Sequence, residues 1–221
     1  NLCTAAQATE SLQQSYPDNI DGETVASLNE NSLAINIHID GTYSGPGWDH
    51  LIAESEQAGI VILGEQHATA DIPALANQLH ETLKSDALAI EVGPWSTRYA
   101  VELIEQGAGT LETWQARSGH GFAFPFLFFA EESKAAEKMA LRSPDKIEPL
   151  WGLDQEFVGS GASLLPILQR EAKTDAQKAA VESFGAAQSK DPMMVGSIDG
   201  PAIDSLASAF AHAMTTAVPL A

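Results

Sequence analysis

The sequence predicts an α/β fold: a largely parallel sheet flanked by helices, with a helical segment at the C-terminal end. Three observations carry this. Apolar runs at Ile60–Leu63, Ala87–Val92 and Leu150–Leu153 have the composition of strands buried on both faces. Stretches with helical apolar spacing separate them. The order strand, helix, strand from Ile60 to Val92 is a crossover, which makes its two strands parallel and close neighbours.

The bulk numbers are compatible with that fold. At 221 residues the chain can bury a substantial core in one α/β domain, with or without a small appendage. Its charge sets it apart: 11 Lys+Arg against 30 Asp+Glu gives a net charge of −19. Such a chain lacks the basic footprint that phosphates require, which argues against nucleic-acid and anionic-membrane partners. A solvated acidic surface is the plainer explanation of the excess. The single cysteine, Cys3, excludes an intrachain disulfide. No apolar run approaches the ~18 residues of a membrane span. The chain starts Asn1-Leu2-Cys3 without a methionine, as after removal of a leader or trimming, which tips localisation towards periplasm or secretion.

The first 31 residues are polar, with a short helix expected from Thr4 to Gln14 and ended by Tyr16-Pro17-Asp18-Asn19. From Ser32 to Asp40, Leu33, Ile35, Ile37 and Ile39 alternate with Ala34, Asn36, His38 and Asp40, the period of a strand with one wet face. His38 falls on that wet face, where an ordinary exposed histidine is the simpler interpretation. A turn at Gly41-Thr42 and a loop at Gly45-Pro46-Gly47 lead to a helix from Trp48 to Gln57. Gly59 breaks it and feeds the strand Ile60–Leu63, after which come Gly64-Glu65-Gln66-His67. Ile72, Leu75, Ala76, Leu79 and Leu83 mark the crossover helix, with Asp71 as its expected N-cap.

After the strand Ala87–Val92, helices are expected over Arg98–Gln106 and Leu111–Arg117. Residues 118–129 then bring five phenylalanines within eight residues, close to His120. This cluster is either a hydrophobic plug for the next helix, Ala130–Leu141, or the lining of an apolar ligand pocket. Pro149–Leu153 forms the third strand, followed by Asp154, Gln155 and Glu156. Beyond Gly159, where a soft boundary separates the α/β core (1–159) from a helical segment (160–221), helices are expected over Ala162–Ala172, Ala176–Ala187 and Ala202–Thr216.

Each expected strand thus ends in polar groups: Glu65 and His67, then Glu91, then Asp154 with Gln155 and Glu156. Parallel strands place their carboxyl ends on one edge, where open α/β sheets bind ligands. Carboxylates around an imidazole can hold a divalent metal through Glu65, His67 and Glu91. They can equally raise the basicity of His67 so that it takes a proton from water. No Gly-x-Ser-x-Gly elbow, P-loop or dinucleotide fingerprint is present, which disfavours serine hydrolases and nucleotide enzymes.

Gly64-Glu65-Gln66-His67 after an apolar strand resembles the Gly-x-x-His motif of the superfamily of Tiki proteases, TraB-like proteins, ChaN-type haem-binding proteins and erythromycin esterases. Glu91 in Ala89-Ile90-Glu91-Val92 is similar to that superfamily's glutamate at the end of the next strand. Trp151-Gly152-Leu153-Asp154-Gln155 is similar to the Gly-hydrophobic-Asp segment of erythromycin esterase-like proteins. The resemblance spans Trp48 to Phe157, with the Glu65-to-His67 spacing nearer the ChaN and Tiki type. Many members supply a second histidine from their later half; His212 and His120 are the positions available here.

The resemblance implies one of two activities. The first is hydrolysis of an ester or amide bond in a small-molecule or peptide substrate. Glu65, His67, Glu91 and Asp154 would then be catalytic, a divalent metal could assist, and Arg98 or Arg117 would steady an oxyanion. The second is ChaN-like binding of haem or another apolar ligand, with His120, Tyr99 and Met139 as iron ligands.

Overall fold

The computed structural model describes residues 22–64, 69–107, 109–118, 123–127, 129–142, 148–156, 159–190 and 200–214. Among them are nine helices and four short strands, in two compact units that divide between Gly59 and Ile60. No helix among the described residues is long and apolar enough to cross a membrane. The expected helix Thr4–Gln14 lies outside the described residues.

In the first unit, helix α1 (Gly22–Asn31) buries none of its residues. Strands β1 (Asn36–Ile37) and β2 (Tyr43–Ser44) form an antiparallel hairpin with Asn36 opposite Ser44 and Ile37 opposite Tyr43. Gly41 makes the turn at φ 82°, a left-handed conformation that glycine adopts at little cost. Asp40 Oδ1 accepts from both the hydroxyl and the backbone N–H of Thr42, and the hydroxyl bond is the main reason its carboxyl titrates below the ordinary aspartate value. Helix α2 (Pro46–Ser55) follows, anchored by the buried Trp48, whose ring lies 5.1 Å from that of Tyr43.

The strand expected over Ser32–Asp40 shrinks here to two paired residues, and Leu33, Ile35, Ile37 and Ile39 are exposed. Alternation reports which side chains share a face; it does not supply a layer to cover that face. His38 is exposed as expected, with Nε2 2.7 Å from Ser44 Oγ.

In the second unit, helix α3 (Asp71–Leu83) ends at Lys84 in the left-handed conformation, with Lys84 N–H bonded to His80 O. Its N-cap is Ala70, so Asp71 is the first helical residue and favours the helix through its charge near the positive end. Strands β3 (Leu88–Ile90) and β4 (Leu150–Gly152) pair in parallel, with Leu88 opposite Leu150 and Ile90 opposite Gly152. Between them come α4 (Pro94–Glu105), α5 (Thr110–Ser118) and α6 (Ala130–Arg142).

Apart from α3, these elements share one core: Val92, Ala100, Leu103, Ile104, Leu111, Phe124, Leu127, Met139 and Leu150 are buried in one contiguous cluster. Phe124 is fully enclosed there, so at that position the phenylalanine cluster packs the core. Helices α7 (Gly161–Glu171), α8 (Asp175–Gln188) and α9 (Gly200–Met214) complete the second unit. Helix α7 packs on α4, where Arg170 grips the Glu102 carboxylate at 2.7 and 3.0 Å. Helix α8 opens with a capping box between Thr174 and Gln177.

The parallel pairing and the flanking helices agree with the sequence reading, but a largely parallel sheet is not what the described residues form. Among the described residues, 60–63 have no ladder partner, and Ile60, Val61 and Ile62 are 81%, 39% and 87% exposed. A run of β-branched residues has the same composition whether or not a neighbour pairs with it, and strand assignment requires the neighbour.

Truncating the shared core should be costly. Ile104→Ala and Leu150→Ala are each expected to lower unfolding free energy by about 2–5 kcal/mol. Ile39→Ala, at a fully exposed side chain, should stay within about 0.5 kcal/mol. Urea denaturation followed by circular dichroism measures all three.

Candidate functional site

The carboxyl ends of β3 and β4 meet the start of α4. Leu153 N–H donates to Ile90 O at 3.0 Å and Asp154 N–H to Val92 O at 3.3 Å, which carries the parallel contact past both strands. Burial alternates along each. Leu88, Ile90 and Val92 turn inward while Ala89 and Glu91 are exposed; Leu150 turns inward while Trp151 and Leu153 are exposed. Glu91 therefore belongs to the uncovered face. Asp154 is half-buried, its Oδ1 accepting from Gln155 N–H at 2.7 Å.

The best-ordered polar cluster at this edge is built on Glu156. Helix α4 begins Gly93-Pro94, so its N-cap has no side chain to offer and its first helical residue has no N–H. The missing acceptor comes from about sixty residues away. Glu156 Oε1 accepts from Trp95 N–H at 2.6 Å and Ser96 N–H at 3.0 Å, while Oε2 accepts from Ser96 Oγ at 2.6 Å. An ionised acceptor at the positive end of a helix makes these stronger than neutral bonds.

The serine proton is committed to Glu156, so Ser163 Oγ, 2.7 Å away on α7, supplies the hydrogen of the Ser96–Ser163 contact. Ser160 O, at 2.9 Å, is a competing acceptor for that same proton. Two glycines permit the approach. A Cβ on Gly93 would overlap the Glu156 carboxylate, and one on Gly152 would overlap Thr97 Oγ1 and the backbone of Val92 and Gly93.

Sequence reasoning started this helix at Arg98 and so missed Ser96. The Gly93-Pro94 step was the available signal, since proline favours the first helical position.

The remaining candidates divide. Glu65, His67 and His120 lie outside the described residues, while His212 falls within α9. Arg98 is exposed, stacked over Trp95 at 5.5 Å and 3.7 Å from Glu148. Arg117 is exposed in the last turn of α5. Tyr99 packs edge-on to Trp114 at 5.6 Å and against Phe124 at 6.3 Å. Met139 is buried in the core. A thioether enclosed by packed side chains does not suit an axial iron ligand, whereas Tyr99 is half-buried, its ring packed among aromatic neighbours. Among the described residues, no three His, Cys, Asp or Glu side chains are grouped closely enough to hold a metal ion.

No protein-family model, curated protein or solved structure matches this chain.

Burial pushes the Tyr99 phenol above the ordinary tyrosine value; the hydrogen bond from Trp114 offsets part of this, with smaller contributions from the Glu102 charge, which raises it, and the Arg170 charge, which lowers it. The folded value exceeds the unfolded one, so this contribution to stability is complete below about pH 10 and is lost as pH rises through the folded value. Absorbance titration at 295 nm should show one of the three tyrosines ionising later in the native protein than in urea. Tyr99→Phe should remove that late component.

Proposed function

We propose that this chain hydrolyses an ester or amide bond in a small-molecule or peptide substrate, at the carboxyl edge of a parallel sheet. The observation that carries the reading is the parallel pairing of β3 and β4, which brings the segments bearing Glu91 and Asp154 to one edge. That edge is where α/β sheets hold their ligands.

The proposal requires residues 60–63 to lie along β3 as a third parallel strand. The ladder supports it: Leu88 N–H donates to Pro149 O and Leu153 N–H to Ile90 O, so Leu88 and Ile90 direct their backbone groups to β4. The backbone groups of Ala89 then point to the opposite edge, where no strand lies among the described residues. Exposed apolar residues at 60–62 and an open strand edge in the same unit have complementary needs. A strand added there would deliver Glu65 and His67 next to Glu91.

In this reading His67 is the general base. It takes a proton from water as the water oxygen attacks the carbonyl carbon, then returns it to the departing alcohol or amine. Glu65 and Glu91 orient the imidazole, and Asp154 lines the cleft. Where a divalent metal assists, Glu65 and Glu91 would hold it and it would acidify the water that His67 deprotonates.

His67→Ala should lower turnover of an ester and peptide panel about 100-fold or more. It should leave stability within about 1 kcal/mol, because a residue just past a strand contributes little packing. Hydrolysis by the intact protein that survives the substitution would contradict the proposal. So would no hydrolysis at all, with a Soret shift on haem addition that weakens in Tyr99→Phe or His120→Ala.

A further inference from the structure

We infer that Glu156 is a positioning residue, which fixes the ends of β3 and β4 against each other and so sets where Asp154 stands relative to Glu91. The inference rests on the cleft proposed above, but its geometry stands apart from the chemistry there. One carboxylate touches both chain segments that carry the candidate acids. Glu91 lies two residues before Gly93, over whose Cα the carboxylate sits; Asp154 lies two residues before Glu156 itself.

Asp154 is consequently held from both sides. Before it, Gly152 closes on Val92, Gly93 and Thr97, and Leu153 N–H bonds to Ile90 O at 3.0 Å. After it, the Glu156 carboxylate is fastened to Trp95 and Ser96 by contacts of 2.6, 3.0 and 2.6 Å. Ser96 is fully buried and leans on Ser163, so the anchor is joined to α7 as well as α4. Within the four-residue span from Leu153 to Glu156, Asp154 has little room to move. The Glu156 carboxylate already accepts three hydrogen bonds, two from backbone N–H groups and one from the Ser96 hydroxyl.

Glutamine can replace the glutamate in this arrangement. Its amide oxygen can accept from Trp95 and Ser96 N–H, and its NH2 can donate to Ser96 Oγ, which then turns its own proton to Ser163. Alanine leaves the first turn of α4 without an acceptor.

The test is native-state amide hydrogen exchange on the full chain, wild type against Glu156→Ala and Glu156→Gln. Glu156→Ala is expected to speed exchange at Leu153 and Asp154 about tenfold or more, with Ile104 and Leu111 unchanged. Glu156→Gln should return both to within about threefold of wild type. Faster exchange throughout the second unit, or none at Leu153 and Asp154, overturns the inference. On any ester the wild type turns over, Glu156→Ala should lower kcat with KM unchanged, and Glu156→Gln should restore it. Unchanged kcat in an active enzyme defeats the positioning role and leaves the hydrolase reading intact. A wild type without turnover defeats that reading, and the exchange pattern still decides whether Glu156 holds Asp154.

Discussion

The second unit depends on one seam: the parallel pair β3–β4 resting on helix α4. Val92, Leu150, Ala100, Leu103 and Ile104 meet there, and α5, α6 and the buried Phe124 close over the same core. Burying the larger of these side chains, Val, Leu, Ile and Phe, contributes about 1.5–3 kcal/mol each, more than the exposed ion pairs Arg98–Glu148 and Lys138–Glu81 can add. Helix α4 is therefore the fixed body against which the strand ends, and the acids that follow them, are placed.

The polar anchor at Glu156 is subordinate to that seam and needs its precision. A carboxylate can satisfy the first turn of α4 only because Gly93 and Gly152 let the two strand ends approach the helix without side chains between them. Apolar packing brings β3, β4 and α4 together to within a few ångströms. The directional bonds to Trp95 and Ser96 then choose one arrangement among the several that packing alone would allow. The uncovered face with Glu91, Trp151 and Leu153 lies on the other side of the same pair.

Much of this was legible in the sequence, for identifiable reasons. Helix α3 follows from Ile72, Leu75, Leu79 and Leu83, and α6 from a long stretch of strong helix formers beginning at Ala130, because helical spacing is local and survives any tertiary arrangement. The parallel relation of Leu88–Ile90 to Leu150–Gly152 followed from apolar runs separated by helices. Residues 60–63 and Leu33–Ile39 are another matter: their patterns state that a partner or cover would suit them, and no local signal names that partner. Helix α1 was missed because it lies in a polar stretch whose few apolar residues, among them Val25 and Leu28, are all exposed. Glu91 and Asp154 were singled out from their places after apolar runs, and both lie just past the paired strands. Ser96 was not, since its importance comes from a carboxylate sixty residues later in the chain.

The central claim is that His67 and Glu91 act in one cleft. A double-mutant cycle tests it most directly, using ester hydrolysis by wild type, His67→Ala, Glu91→Gln and the combined variant. Groups that act as a unit lose their effect together, so the double variant should be no slower than His67→Ala within about threefold. Losses that multiply, with each substitution costing the same in either background, would place the two residues in independent surroundings and contradict the account.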